Sequence, residues 1–179
     1  LEYYITAKYN PRKVNKDSFL LRNGAEYLIS HSIAFVECAL EYMYAPSYYS
    51  NARSKLTTII VILGYTFIIV GQLARSLAMF TAGKSFSHVV QKTKDPDHVL
   101  VKNGIYKYLR HPSYFGFFWW ALGTQMILLN PLSFLLFVIV LWRFFNHRII
   151  LEEAFLIKFF GDEYLQYKAH VPVRIPFIK

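Results

Sequence analysis

The stretch from Leu56 to Thr81 is built of Leu, Ile and Val through most of its length, with Gln72 and Arg75 as polar positions near its end. A helix rising 1.5 Å per residue needs about 20 apolar residues to cross the hydrocarbon of a bilayer. The stretch therefore predicts a transmembrane helix, and that prediction constrains the rest. Of the 179 residues, 55% are hydrophobic and 17% charged, more apolar surface than a soluble domain of this length could hide. The formal charge of +9 could suggest nucleic acid. The basic residues, however, fall between apolar stretches and not along a stripe interleaved with exposed aromatics, so anionic lipid headgroups explain them better than nucleic acid.

Two further segments have the length and character of membrane helices. Phe19 to Tyr44 has Ser18 as a candidate N-cap and Pro46 just past its end. It carries Glu26, His31, Glu37 and Glu41, and the spacing puts the three acids on one helical face. That face turns either to neighbouring helices and the membrane surface or into a cavity. Tyr114 to Asn146 is interrupted at Asn130 and Pro131. Proline breaks the hydrogen-bond ladder and disfavours α geometry before it. A helical hairpin is predicted, with arms of about 16 residues and about 24 Å.

Charge sets the expected orientation. Lys8, Arg12, Lys13 and Lys16 lie in residues 1–17, Lys84, Lys92, Lys94, Lys102, Lys107 and Arg110 in 82–113, and Arg148, Lys158, Lys168, Arg174 and Lys179 beyond Asn146. Two spans and a hairpin place all of them on one side, which the positive-inside rule makes cytosolic. The loop 45–55 holds only Arg53 and Lys55, and the hairpin tip no basic residue. The fold class expected is all-α: a multi-pass integral membrane protein with a C-terminal helical hairpin and cytosolic segments folded against the helix ends. Cys38 is the single cysteine, so one chain can form neither a disulfide framework nor a cysteine-rich metal site. No signal peptide precedes Leu1, and an N-terminal piece, with or without further spans, is expected to be missing from the sequence.

Chemistry concentrates in two places. The run GIYKYLRHPSYFG, residues 104–116, predicts a turn through His111 and Pro112 feeding the first hairpin arm. It reads either as a polar site or as an aromatic and basic anchor at headgroup level. The run NHRIILEEAFLIKFFGDEY, residues 146–164, predicts an amphipathic helix stopped at Gly161. Arg148 and Glu152, four apart, share a face, while Glu153 points about 100° round the helix. The pair is either an ordinary surface salt bridge or an arginine fork presented to a carboxylate. The hairpin brings both runs together.

GIYKYLRHPSY, GTQ at 123–125, WRFF at 142–145, Arg148 with Glu152, FFGDEY at 159–164 and the closing VPVRIPFIK together resemble the isoprenylcysteine carboxyl methyltransferase family. The similarity reaches back through MFTAGKSFSHVVQ, residues 79–91, and more loosely through SFLLRNGAEY, residues 18–27. RHPSY alone is less specific, since membrane sterol reductases and phospholipid methyltransferases carry related turns; the ordered set is far stronger. The tail departs from the family at Arg174, where a small residue or glycine is usual before the final IPFI or LPFI element.

The resemblance implies a membrane-helix segment 1–81 and a methyltransferase core 82–179. It implies S-adenosylmethionine as cofactor, leaving as S-adenosylhomocysteine, held by Gln91, His98, Val99, Leu100, Val101, Tyr106, His111, Pro112, Ser113, Tyr114 and Glu152. It implies that Arg148 holds the substrate carboxylate and that Arg148 and Glu152 form the catalytic pair. Carboxylate attack on a sulfonium methyl is an in-line displacement without proton removal, so no catalytic base or metal is needed. This agrees with the lack of metal-ligand spacing among His31, His88, His98, His111, His147 and His170. A dry pocket favours the neutralisation of charge, and Glu152 could orient Arg148 or attract the cationic end of the cofactor. The prenyl chain is expected in a groove between the helix 56–81 and the hairpin, walled by Phe117, Phe118, Trp119 and Trp120. The implied partners are prenylated CaaX proteins such as small GTPases and the lipid bilayer, and the implied location is the endoplasmic reticulum membrane with the site facing the cytosol. A sterol reductase, a phospholipid methyltransferase and a non-catalytic membrane scaffold are the alternatives.

Overall fold

The computed structural model describes residues 25–44, 54–94 and 98–179, with side chains of the first helix described from Leu28 onward. Among the described residues five α-helices follow one another: α1 (Ala25–Tyr44), α2 (Lys55–Ala82), α3 (Pro112–Leu128), α4 (Pro131–Phe160) and α5 (Asp162–His170). Short 3₁₀ turns at Gly83–Ser85 and Gly104–Lys107 punctuate the segment between α2 and α3, and no strand occurs among the described residues. The expectations for Ser18, the start at Phe19, Pro46, the basic segment 1–17 and the loop through Arg53, together with the side chain of Glu26, lie outside what is described.

The long apolar run forms α2 as its composition predicts. Ser54 caps it, its hydroxyl accepting a hydrogen bond from the Thr57 N–H at 3.2 Å. At the other end Gly83 takes φ 49°, a positive value that glycine adopts without strain. Among the described residues, two helices are long and apolar enough to cross a membrane: α2 with its 3₁₀ extension, and α4. Ile59, Ile62, Ile69 and Leu73 of α2 and Leu132, Leu135 and Ile139 of α4 remain exposed. Soluble monomers rarely leave so continuous an apolar surface uncovered, and a bilayer covers it without cost.

The hairpin breaks where proline demands. Leu129 turns into the left-handed region at φ 57°, Asn130 is extended, and Pro131 opens α4 at a position that needs no N–H. The arms are unequal, unlike the matched arms expected from the sequence. α3 has 17 residues and α4 has 30, about 45 Å at helical rise. The amphipathic stretch after Asn146 is the continuation of the second arm, because neither glycine nor proline interrupts Leu132 to Phe160. Gly161, at φ 55°, then ends it as expected.

α3 lies against α2 through two glycine pairs, Gly71 with Gly116 and Gly64 with Gly123. A Cβ on Gly71 would stand 2.5 Å from the Gly116 carbonyl oxygen, and one on Gly123 would stand 2.6 Å from that of Gly64. Small residues that let backbones approach are a main source of helix association in lipid. Gly116→Val is expected to force the helices apart at a cost of about 1–3 kcal/mol, typical of overpacking, read as a lowered unfolding temperature in detergent micelles.

α1 rests on the hairpin tip. The Asn130 amide donates to the Ala34 carbonyl at 3.0 Å, and the Glu37 carboxylate accepts the Leu132 and Ser133 N–H groups at 2.9 and 2.7 Å. Glu37 thus satisfies free donors at the first turn of α4 and meets the positive end of its dipole. This settles its share of the acidic face: it turns to a neighbouring helix. At the other end of the hairpin, the C-terminal tail returns over α4 and buries Val173, Ile175 and Ile178. The Trp142 indole N–H donates to the Pro176 carbonyl at 3.0 Å. Arg174 adopts φ 59°, so its departure from the family pattern is conformational: a glycine rests in that region without strain.

Candidate active site

The site is built around the turn into α3. His111 precedes proline and is pushed out of helical geometry, to φ −125° and ψ 64°. This turns Arg110 and His111 toward α4 and starts α3 with Ser113 and Tyr114 side by side. Tyr114 then meets α4 at Arg148 and Glu152, while Ser113 accepts from Arg75 of α2.

Tyr114 joins those two residues. The Arg148 Nε–H donates to the Tyr114 hydroxyl oxygen at 2.8 Å, and the Tyr114 O–H donates to Glu152 Oε2. No direct Arg148–Glu152 salt bridge forms among the described residues, so the i,i+4 pair expected from spacing is a bridge through a third side chain. The Arg148 Nη2–H donates to the His88 carbonyl, and its guanidinium carbon lies 5.3 Å from the Tyr114 ring centroid and 5.7 Å from that of Phe144. Held at Nε, at Nη2 and on both ring faces, the fork has little freedom. Nη1 takes no hydrogen bond among the described residues.

Two clefts meet at this bridge. One spans about 780 Å³, part of it open to the outside, and is mostly apolar, with Phe117, Phe137, Leu141, Phe144 and Phe145 among its walls and Arg148 at its polar end. The other encloses about 650 Å³ and is lined by His98, Val99, Leu100, Val101, Tyr106, His111, Pro112, Ser113, Tyr114 and Glu152. Phe86, Ser87, Ser113 and Tyr114 line both. Gln91 lies in an adjoining recess that shares Ser85, Ser87, His98 and Glu152 with its neighbour. The residues assigned from the sequence to the cofactor and the carboxylate thus line clefts around one bridge, with Arg148 on the apolar side and Glu152 on the polar side.

The polar cleft has features of a site for a polar ligand. Gln91 Oε1 is buried with no hydrogen-bond partner, a costly state that a bound donor would relieve. Residues 98–101 belong to no helix or strand and line the cleft. Burial pushes the Tyr106 phenol well above its usual pKa, and the nearby Glu152 carboxylate adds to the shift. Burial likewise pushes Tyr167 up to about 12. Both phenols therefore remain neutral donors, Tyr167 giving its proton to the Tyr106 carbonyl at 2.6 Å.

The groove expected between α2 and the hairpin is closed. Glycine pairing leaves no space between α2 and α3, Trp119 packs edge-on against Phe67 with centroids 4.8 Å apart, and Phe118 is buried in the core. Of the four aromatics proposed as walls, Phe117 alone lines the apolar cleft, which lies among α1, α3 and α4 and is lined as well by Arg75 of α2 and by Phe86, Ser87 and His88. The sequence reading also passed over Glu153, Arg75 and Ser85 to Ser87. Glu153, 3% exposed, receives Arg110 Nε at 2.9 Å, Lys168 Nζ at 2.5 Å and His111 Nε2 at 3.2 Å. Arg110 Nη1 also donates to the Val171 carbonyl at 2.5 Å. This ionic knot ties the RHP turn to α4 and the tail directly behind the site. Arg75 donates to Ser113 Oγ at 2.9 Å; its one sequence signal was a charge inside an apolar helix.

Residues 60–158 match the profile of the isoprenylcysteine carboxyl methyltransferase family. A protein-S-isoprenylcysteine O-methyltransferase of Saccharomyces cerevisiae is 55% identical over 99% of this chain and 74% of its own length. Its counterpart from Schizosaccharomyces pombe is 45% identical over 99% of this chain and 78% of its own. For the human protein of the same name the identity is 43%, and this chain spans only 61% of that relative's length. A solved structure of a eukaryotic intramembrane Ras methyltransferase, an isoprenylcysteine carboxyl methyltransferase, superposes with a TM-score of 0.89 at 40% identity, covering 99% of this chain and 61% of that one.

Proposed function

Because the chain belongs to the isoprenylcysteine carboxyl methyltransferase family and is a methyltransferase for the carboxylate of prenylated cysteine, we propose that the bridge Arg148–Tyr114–Glu152 is where that carboxylate meets its methyl donor. The observation that carries the reading is the shared wall at Ser113 and Tyr114, with a cation facing one cleft and an anion the other. A lipidated carboxylate needs an apolar cavity ending in a cation. A sulfonium donor needs a polar cavity ending in an anion.

S-adenosylmethionine, when bound, supplies a methyl group on a positively charged sulfur. The polar cleft and its adjoining recess fit that molecule, with the unpartnered Gln91 Oε1 and the lining residues 98–101 suited to its adenosine portion and Glu152 to its charged end. Gln91, His98 to Val101, Tyr106, His111 to Tyr114 and Glu152 would hold it. Arg148 positions the substrate carboxylate through Nη1. Its remaining bonds, to Tyr114 and to the His88 carbonyl, keep the guanidinium from closing fully on the carboxylate and quenching its nucleophilicity. No proton has to be removed, so the residues orient and exclude water, which is where most of the rate gain in such a displacement arises.

The basic segments flanking the spans support a cytosolic site, and the family supports a multi-pass protein of the endoplasmic reticulum membrane acting on processed CaaX proteins such as small GTPases. The relatives' shared name and the apolar cleft with a carboxylate grip disfavour a sterol reductase, a phospholipid methyltransferase and a scaffold. Membranes carrying the protein, incubated with methyl-labelled S-adenosylmethionine and N-acetyl-S-farnesyl-L-cysteine, are expected to accumulate a base-labile methyl ester. Label at background level would remove this reading.

A further inference from the structure

The apolar cleft has a direction. Phe137, Val140, Leu141, Phe144, Phe145 and Arg148 line it from α4, a single helical stripe with three- and four-residue steps. From Arg148 to Phe137 the stripe descends about 16 Å at helical rise. On α3 the wall starts at Ser113 and Tyr114, level with Arg148, and ends at Ala121. The slot thus runs along the helix axes, from a polar mouth beside the donor cleft toward the hairpin tip.

Its deep end is blind. Phe137 is 2% exposed and Ala121 0%, and His31 of α1 meets the Phe137 ring edge-on with centroids 5.1 Å apart. Beneath them lies a buried polar plug of Gln125, Asn130 and Ser133. It is pinned by the Asn130 bond to Ala34 and by the Glu37 carboxylate on the first N–H groups of α4. An apolar chain cannot pass this plug without stripping buried hydrogen bonds.

Resting on the methyltransferase reading, we propose that Phe137, backed by His31 and Ala121, is the floor of the prenyl slot and sets the isoprenoid length that the enzyme prefers. Single bonds of about 1.5 Å in a zigzag make a stretched farnesyl chain about 14 Å long and a geranylgeranyl chain about 5 Å longer. With the carboxylate at Arg148 the cysteine takes up about 4 Å at the mouth, so the farnesyl chain already reaches the level of Phe137. The last isoprene unit of the longer chain meets the Phe137 ring and has to fold back or leave between the helices. The residue acts on specificity and makes no contact with the reacting atoms.

The test compares kcat/KM for N-acetyl-S-farnesyl-L-cysteine and N-acetyl-S-geranylgeranyl-L-cysteine in wild type, Phe137→Leu, Phe137→Ala and Ala121→Leu. Wild type is expected to favour farnesyl. Both Phe137 variants are expected to move the ratio toward geranylgeranyl, by about tenfold for alanine, the order a few methylenes make in an apolar pocket. Ala121→Leu shortens the slot and moves the ratio further toward farnesyl. Phe137→Leu, a milder change, decides the matter if the alanine variant does not fold. A ratio unchanged in a Phe137 variant that still methylates the farnesyl substrate overturns the proposal. Absence of ester from both substrates in wild type removes the methyltransferase reading instead, so the two failures are distinct.

Discussion

Arg148→Ala is expected to lower kcat/KM for N-acetyl-S-farnesyl-L-cysteine by about 100-fold or more while the protein still inserts and unfolds at close to the wild-type temperature. The substitution leaves the substrate carboxylate without its cation and frees Tyr114 from the Nε bond at 2.8 Å. Misplacing a reacting group by about 1 Å already costs about 100-fold, and here position and charge are lost together. Arg148→Lys separates the two losses. A lysine keeps the charge, yet its single ammonium cannot serve Tyr114, the His88 carbonyl and the substrate at once. It should recover only part of the activity, chiefly in KM. The steady-state constants, measured at saturating S-adenosylmethionine, check this. Full activity in Arg148→Ala would exclude the residue from the site.

Glu153→Ala is expected to be the most destabilising single change near the site, costing about 3–5 kcal/mol because it leaves the buried Arg110 guanidinium without its counter-charge. Arg110 and His111 have side chains about 5% exposed, and both lean on this one carboxylate, as does Lys168. Its neighbour provides the internal control. Glu152 faces the cleft and holds only the Tyr114 hydroxyl among the described hydrogen bonds. Glu152→Ala should therefore abolish turnover with little change in unfolding temperature, whereas Glu153→Ala should lower that temperature sharply. Thermal unfolding in detergent, read beside the methylation assay, distinguishes the two. Equal unfolding temperatures would show that the knot contributes no stability.

These adjacent glutamates show where sequence reading reaches its limit. Helical periodicity correctly sent Glu152 to the face of Arg148 and Glu153 elsewhere. It could not say that Tyr114, more than thirty residues earlier, stands between Arg148 and Glu152, or that Arg110, His111 and Lys168 converge on Glu153. Those partners come from separate elements, and their meeting depends on how α3, α4 and the tail dock. The groove went astray for a related reason. Phe117, Phe118, Trp119 and Trp120 are consecutive and so point all round α3. Which of them meets a cavity depends on which neighbour lies close, and the glycine pairs bring α2 against one side. The spacing of seven between Gly64 and Gly71, and between Gly116 and Gly123, was present in the sequence as a signal. It becomes a contact only once two helices are known to face each other.

The apolar run from Leu56 to Thr81 determined by itself that this chain belongs in a bilayer, because no soluble packing could cover so much hydrocarbon. Local chemistry likewise determined the breaks at Asn130–Pro131 and Gly161 and the bend at His111–Pro112, since each follows from backbone sterics within a few residues. Tertiary structure alone decided which faces meet. It closed α2 on α3, opened an apolar cleft among α1, α3 and α4, and turned Glu37 from an acid in a membrane helix into the cap of α4. A bilayer rewards any apolar surface alike, so burial does not select the partners of a membrane helix. Close backbone approach and the pairing of the few polar groups do, and both are properties of the assembled fold.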